Sequence, residues 1–582
     1  MPGIGLTPFL FVSPQLGLDD VDEAHEEGIV AIINNRPDGE KEGQPTSLEI
    51  EKRATELGVA YRHIPVVAGK MTTEKIEAFR SALKELPQPI LAFCATGTRS
   101  TTLWALAEAP QSDADAIISL AREAGYNLSN LRPTLVESNL THSAAKGRSE
   151  HTDAPLDLGH PTTRDVVIVG GGAGGIAVAS SLLAREPSLA ITLIEPRSEH
   201  YYQPGWTMVG GGVFDNNLTI RDEIRLIPAG VRWIRASAAG FEPQNNAVIL
   251  EDGEKVLYKT LIVAAGLKLD WKAIPGLSET LGRNGVTSNY EPGLATYTWE
   301  LVQRLKKGVA LFTQPPMPIK CAGAPQKAMY LSCDYWRRSG CLNHINVEFN
   351  TAGNVLFGIP EYVPALDAYI DKYGIELGLG QNLVAIDGPG KTATFEMVFD
   401  DGTSITEDRH FDMIHVCPPQ TAPDFVRSSP LSNEAGWVEV DPDTLQHVRY
   451  DNVYALGDVC SAPNAKTAAA VRTQAPIVAT NILNAIHHSP ERALYSGYGS
   501  CPLTVEKGKI VLAEFGYGGK IMPTLPFIDG TKPSRIAWLL KEKMLPWVYW
   551  NLMLKGREWL VKYETSETHR TARPVALLDK RK

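Results

Sequence analysis

An α/β architecture in several units is what this sequence predicts, and three observations carry the prediction. The β-branched run Asp165–Val169 (DVVIV) enters the glycine turn Gly170-Gly171-Gly172-Ala173-Gly174-Gly175 and leaves it in a helical pattern, IAVASSLLARE. In the first 143 residues the apolar runs Ile29–Ile33, Tyr61–Val67 and Ile90–Phe93 alternate with helical patterns at Ser47–Leu57 and Thr73–Leu86, as in a small domain with a largely parallel sheet. A second Rossmann-like segment begins at Val309, and a hairpin-like insertion, Ala247–Tyr258, interrupts the first.

The 582 residues correspond to three or four packed units. The polar, Pro- and Gly-bearing stretch AAKGRSEHTDAPLDLGHPTT marks a linker at 144–164, which divides a first domain, 1–143, from the rest. The remainder is expected to divide into 165–308 and 405–497, two parts of one dinucleotide-binding domain, the inserted 309–404, and a C-terminal region 498–582. A net charge of −11 excludes a general basic surface for nucleic acid, but it conceals a tail, 531–582, at +7 against −18 for the remainder. Seven scattered cysteines form neither a disulfide framework nor a cluster with metal-ligand spacing, so no metal is expected. The N-terminus has no basic region before its apolar residues, so no signal peptide is expected. No run approaches the ~18–20 apolar residues of a membrane-spanning helix.

Gly170, Gly172 and Gly175 satisfy G-x-G-x-x-G between a strand and a helix. The first permits the tight turn, the second lets backbone approach a pyrophosphate, and the third lets helix pack on strand. The next strand, ITLIE, ends in Glu195, a carboxylate placed to accept a ribose 2′-OH. The segments TLIVAAG, ending in Gly266, and VYALGD, containing Gly457 and Asp458, resemble the further fingerprints of the FAD-dependent disulfide reductase superfamily. That resemblance implies FAD, with Asp458 on the ribityl chain and the N-terminus of the following helix stabilising the reduced ring. The stretch VALFTQPPMPIKCAGAPQK carries no second G-x-G-x-x-G, so a pyridine nucleotide is not the expected electron source.

Around Cys321 (PIKCAGAPQKAMYLSCDYW) and Cys501 (GYGSCPLTVEKGKIVLAEFGY), together with YYQPGWTMVGGG and AKTAAAV, the chain resembles the mitochondrial-like sulfide:quinone oxidoreductases over about two-thirds of its length. The resemblance implies a redox disulfide or sulfur-bridged pair of Cys321 and Cys501 beside the isoalloxazine. Hydrogen sulfide would attack Cys501 and leave a persulfide there, while Cys321 departs as a thiolate that adds to or charges the flavin. Electrons would pass to a membrane quinone, and the sulfur to glutathione, sulfite or further sulfide. Lys466 matches the family lysine near the flavin pyrimidine edge. Thiol–disulfide exchange supports this chemistry independently, because it replaces direct two-electron oxidation of HS⁻ by formation of a bound persulfide. Cys333, Cys341, Cys417 and Cys460 are read as small buried hydrophobes.

In the tail, Ile536, Leu539 and Leu540, then Trp547, Trp550 and Leu554, recur at helical spacing among Lys and Arg, the pattern of amphipathic helices that bind a membrane surface. With the family resemblance this implies a peripheral membrane protein on the cytoplasmic side of the inner or plasma membrane. Assembly as a homo-oligomer is left open.

The run Ile90–Phe93 enters Cys94-Ala-Thr-Gly-Thr-Arg99-Ser100 and then a helix, a setting in which loop amides and Arg99 favour a Cys94 thiolate and bind an oxyanion. With IINNRPDGE at Ile32–Glu40, the module resembles the phosphatase-like sulfurtransferase family. Tyrosine phosphatases place arginine six positions after cysteine, and here it is five, so sulfane-sulfur transfer is favoured over phosphatase activity. Asp38 and His63 are read as structural. The competing readings are an NADH-dependent flavin dehydrogenase or disulfide reductase with an N-terminal phosphatase, and a flavoprotein sensor without turnover.

Overall fold

The computed structural model describes residues 3–135 and 164–566, apart from 8–9, 42, 68–70, 110–113, 127, 129–130, 133, 400, 464, 527 and 559. The linker at 144–163 and the last basic residues of the tail lie outside the described residues. Two compact units divide the chain, Met1–Gly159 and His160–Lys582.

In the first unit a five-stranded sheet runs in the order Ile4–Thr7, Leu10–Ser13, Ile90–Phe93, Ala31–Asn34, Ala60–His63, parallel except for the first pair. The central strand is apolar throughout because both its faces are covered. Leu91 and Phe93 meet Val21, Ala24, Ile50 and Ala54 of helices Leu18–Glu26 and Ser47–Glu56, while Ile90 and Ala92 meet Phe79, Leu103 and Trp104 of helices Thr73–Glu85 and Thr98–Glu108. Helix Ser47–Glu56 starts on a capping box, in which the Thr46 hydroxyl accepts from Glu49 N–H and the Glu49 carboxylate accepts from Thr46 N–H at 2.8 Å. The initial hairpin has no counterpart in the sequence reading.

In the second unit, strand Arg164–Val169 lies between Ile191–Ile194 and Lys255–Val263 in a sheet that Arg232–Ile234 and Val453–Ala455 extend in parallel. The expected insertion is an antiparallel ribbon of Ala238–Glu242, Ala247–Leu250 and Lys255–Val263. A second parallel sheet has the order Val286–Thr287, Met413–His415, Gly308–Gln314, Ile345–Thr351, Glu376–Leu379. The expected boundary at 404/405 needs correction. Strand Ser404–His410 pairs with Thr392–Val398, and Met413–His415 adds to the second sheet, so the chain returns to the first sheet only beyond them. The cause is that the antiparallel sheet 381–410 hangs from the second Rossmann unit and its last strand feeds directly into that core.

The hairpin Gly499–Glu506 and Lys509–Phe515 packs Leu503 and Val505 against Ala328 and Met329 of helix Ala324–Arg338. Beyond it, helix Arg535–Leu539, one π turn Leu540–Met544 and helix Leu545–Asn551 follow. The chain then rests on helix Ala173–Arg185: Ser180 Oγ donates to Leu554 O at 2.8 Å, and Arg185 Nη2 meets Glu558 at 2.8 Å. The expected apolar stripe of the tail is thereby divided. Trp550 and Leu554 are buried against the body, whereas Ile536, Leu539 and Trp547 are each more than half exposed. No helix among the described residues is long and apolar enough to cross a membrane.

Candidate active site

The glycine turn has the shape that a pyrophosphate requires. Gly170 sits at φ +105° with Ala264 O 2.5 Å from where a Cβ would be, and a Cβ on Gly175 would lie 1.8 Å from Gly170 O, so neither position admits a side chain. Gly172, which caps helix Ala173–Arg185, faces open space instead. Its backbone is therefore approachable at the positive end of a 13-residue helix. Glu195 is fixed there by two amides, Gly171 N–H at 2.8 Å and Arg197 N–H at 2.9 Å. Gly266 and Gly457 adopt left-handed conformations at the ends of the two neighbouring strands. Asp458 follows, and loss of solvation raises its carboxyl. The fit is that of FAD: an open phosphate cradle, a held carboxylate beyond it and an acid at the far end.

The second sheet positions one of two cysteines that meet. Strand Gly308–Gln314 runs into the loop bearing Cys321, where a nucleotide-binding turn would otherwise stand, and Cys321 N–H is bound by Lys466 O at 2.9 Å. Cys321 is held at φ +49°, which costs a non-glycine residue on the order of 1–3 kcal/mol. Cys501 enters from the hairpin 180 residues later, and the two Sγ atoms stand 3.4 Å apart. Gly323 makes this possible: a Cβ there would lie 2.7 Å from Cys501 Sγ and 2.2 Å from Leu503.

The two sulfurs are electrostatically unlike. Cys321 is held well below the usual thiol range by the hydrogen bond from Cys501 and, against the cost of burial, by Lys327, whose Nζ lies 3.1 Å from its sulfur. Cys501 is pushed well up by the same hydrogen bond, in which it is the donor, and by burial. Burial disfavours the charge of Lys327, but the two sulfurs outweigh it and raise this ammonium. A second buried lysine reaches in from the tail. Lys541 donates to Pro204 O at 3.0 Å and is pushed down to about 8 by burial and by Lys327.

Lys320 and Lys466 complete the surroundings. Lys320 Nζ bonds Gln203 Oε1 at 2.8 Å, and burial lowers it. Lys466 turns its ammonium onto Asp458 O at 2.6 Å and Cys460 O at 3.1 Å and lies 4.0 Å above the Trp437 ring. Cys333, Cys341, Cys417 and Cys460 are buried. Sequence reasoning overlooked Lys327 and placed Lys541 on the polar side of a membrane-binding helix. The first has a local signal, six residues after Cys321 in the helix that Gly323 caps. The second has none, because only the chain's return brings it to the dithiol.

In the first unit, Cys94 is buried at the end of its strand and Arg99 lies in the first turn of helix Thr98–Glu108 behind Gly97 at φ +84°. Both Arg99 terminal nitrogens bind Glu40, at 2.9 and 2.7 Å, and Nη1 also donates to Val66 O at 2.6 Å. Glu40 additionally accepts from Arg36 Nε at 2.8 Å, so the motif IINNRPDGE acts partly by orienting the arginine. Asp38 accepts from Ser47 N–H and Oγ, both at 2.6 Å, and His63 bonds Arg36 O at 2.9 Å; both contacts are structural.

Lys541 yields a pH prediction. Below pH 8 its charge is buried at a cost; between about 8 and its ordinary 10.5 the folded form sheds the proton first, so stability rises with pH across that window. In thermal melts, Lys541→Met is expected to exceed the wild type by about 2–5 °C at pH 7, with the gap closing by pH 10.5. A gap independent of pH contradicts the buried charge.

Comparison with known proteins agrees with this geometry. Residues 4–111 match the family model of the beta-lactamase hydrolase-like protein, phosphatase-like domain, and residues 164–297 that of the pyridine nucleotide-disulphide oxidoreductases. Sulfide:quinone oxidoreductase, mitochondrial, from Dictyostelium discoideum is 44% identical over 395 residues, 67% of this chain and 86% of that protein. Its Mus musculus counterpart is 39% identical over 392 residues, again 67% and 86%. The crystal structure of the sulfide:quinone oxidoreductase from Aquifex aeolicus shares the fold, with a TM-score of 0.57 at 22% identity, covering 68% of this chain and 92% of that one. An FAD fold of this kind, a paired Cys321 and Cys501, and identity at this level over most of the relatives' length establish that the chain belongs to the sulfide:quinone oxidoreductase family.

Proposed function

We propose that the chain oxidises hydrogen sulfide through Cys321 and Cys501 and passes the electrons through FAD to a membrane quinone. The 3.4 Å approach of two electrostatically unlike sulfurs, next to the segment that follows Asp458, carries this reading. In the oxidised enzyme the two are joined as a disulfide, or through one further sulfur, whose span is close to this separation. Starting from the disulfide, HS⁻ attacks Cys501 Sγ; the new S–S bond makes a persulfide there, the bond to Cys321 breaks, and its electron pair leaves on Cys321. Lys327 stabilises that thiolate at 3.1 Å, which makes Cys321 the better leaving group. Lys541 adds positive charge that draws an anionic sulfur nucleophile inward. FAD, held by Gly170, Gly172, Gly175, Glu195, Gly266, Gly457, Asp458 and Lys466, supplies the two-electron acceptor that connects the thiolate to the quinone. A nucleophile such as sulfite, glutathione or further sulfide removes the outer sulfur from Cys501, and the freed Cys501 thiolate rejoins Cys321 once the electron pair has been passed on.

The N-terminal unit extends this chemistry. Its Cys94 accepts the outer sulfur of a persulfide, with Arg99 and the loop amides holding the anion, and passes it to an acceptor. The arginine five rather than six places after the cysteine favours this over phosphate hydrolysis. In the tail, the exposed Ile536, Leu539 and Trp547 with Arg535 and Lys543 form a foot that rests on the cytoplasmic face of a membrane, where a quinone is available.

One set of anaerobic assays on the full chain tests the sulfur route. Cys321→Ser and Cys501→Ser are each expected to lose sulfide-dependent flavin bleaching and reduction of a soluble ubiquinone by at least about a thousandfold. Cys94→Ser is expected to keep both and lose transfer from glutathione persulfide to sulfite. Full bleaching in either of the first two overturns the assignment. For the foot, combined Ile536→Asp, Leu539→Asp and Trp547→Asp should abolish flotation with anionic liposomes; a triple variant that floats like the wild type removes the foot.

A further inference from the structure

From Ala537 to Lys555 the tail lies beside one segment of the flavin-binding domain. Ala537 and Trp538 pack with Met208 and Phe214, and Lys541 Nζ donates to Pro204 O at 3.0 Å. Further on, Tyr549 OH lies 2.7 Å from His200 Nε2, and Lys555 Nζ donates to Arg225 O at 3.4 Å. Strand Ile220–Asp222 pairs with Glu199–Tyr201, and its Arg221 guanidinium covers the Trp550 ring at 4.3 Å. The two short turns that flank this strand, Asn216–Thr219 and Glu223–Arg225, therefore border the tail.

Both turns are inside out. In the first, Thr219 is buried and its Oγ1 donates to Asn216 O at 2.7 Å, while Leu218 beside it is 61% exposed. In the second, Glu223 is buried against His200 Nδ1 at 3.1 Å, while Ile224 beside it is 60% exposed. The tail repeats the inversion, with Lys541 buried and Ile536, Leu539 and Trp547 exposed to 56%, 57% and 56%. Single apolar residues on a surface need no explanation, but here five border one seam while Thr219, Glu223 and Lys541 are taken inside. Within 213–225 and 535–557 the exposed charged residues are Arg221, Arg225, Arg535, Lys543, Lys555 and Arg557 against Asp215 and Asp222. Apolar side chains among an excess of cations fit an anionic phospholipid leaflet; a second copy of the same surface would bring like charges together.

We propose that residues 216–225 form a second lipid contact, in which Leu218 and Ile224 enter the same leaflet as Ile536, Leu539 and Trp547, with Arg221, Arg225 and Lys555 at the anionic headgroups. The inference rests on the foot of the proposed function and extends it to the neighbouring segment. The lipid surface then meets the flavin-binding domain directly, not only through its tail.

The test is flotation of the full chain with phosphatidylcholine–phosphatidylglycerol vesicles, with bound flavin as the check on folding and sedimentation as the check on mass. Leu218→Asp combined with Ile224→Asp is expected to lower the partition coefficient at least about tenfold. Leu218→Trp combined with Ile224→Trp keeps the surface apolar and is expected to float like the wild type. Wild-type flotation of the Asp pair overturns the proposal, and a halved sedimenting mass alongside it assigns the patch to a second copy. The combined Ile536→Asp, Leu539→Asp and Trp547→Asp variant separates the two readings. If it alone loses flotation, the foot stands and the second contact falls; if the Leu218 and Ile224 pair alone loses it, the second contact stands and the foot falls. Should the Asp pair shed its flavin, Leu218→Ser with Ile224→Ser decides by the same criterion.

Discussion

The contact between Cys321 and Cys501 is the constraint on which the second unit is arranged. Two sulfurs 180 residues apart reach 3.4 Å only because Gly323 has no side chain, Cys321 accepts a left-handed backbone, and the hairpin Gly499–Phe515 lies against helix Ala324–Arg338. The same loop occupies the end of strand Gly308–Gln314, the place where a doubly wound unit ordinarily receives a nucleotide. One Rossmann unit thus keeps its glycine turn and its cofactor cradle, while the other exchanges its turn for a thiol.

Charge follows from that contact. In the proposed reaction one sulfur must be the better leaving group, and burial alone would raise both thiols. Lys327 breaks the symmetry from within the helix that follows Cys321, and Lys541 adds to the field from the tail. The tail therefore presents three sets of side chains: Lys541 is buried within electrostatic reach of the sulfurs, Tyr549 and Leu554 pack on the flavin-binding body, and Ile536, Leu539 and Trp547 are exposed.

Much of this was legible in the sequence wherever a local pattern coincides with a local structure. The glycine turn, Glu195 at the end of its strand and the alternation of the first 143 residues follow from periodicity and steric rules that act over a few residues. Cys321 and Cys501 were legible as a pair through family resemblance, since no spacing rule brings them together. What stayed hidden depends on contacts between distant segments. Lys541, Trp550 and Leu554 look like an interfacial helix because helical spacing does not say which apolar stripe meets the body. The boundary at 404/405 failed because an antiparallel strand, Ser404–His410, leads straight back into the second parallel sheet.

The central claim is that the leaving sulfur is Cys321 and the sulfur that receives sulfide is Cys501. One equivalent of sulfide added anaerobically to the oxidised enzyme, followed at once by alkylation and peptide mass analysis, reads this directly. The account predicts an extra sulfur atom on the Cys501 peptide, with Cys321 free of it; an extra sulfur on the Cys321 peptide alone would contradict it.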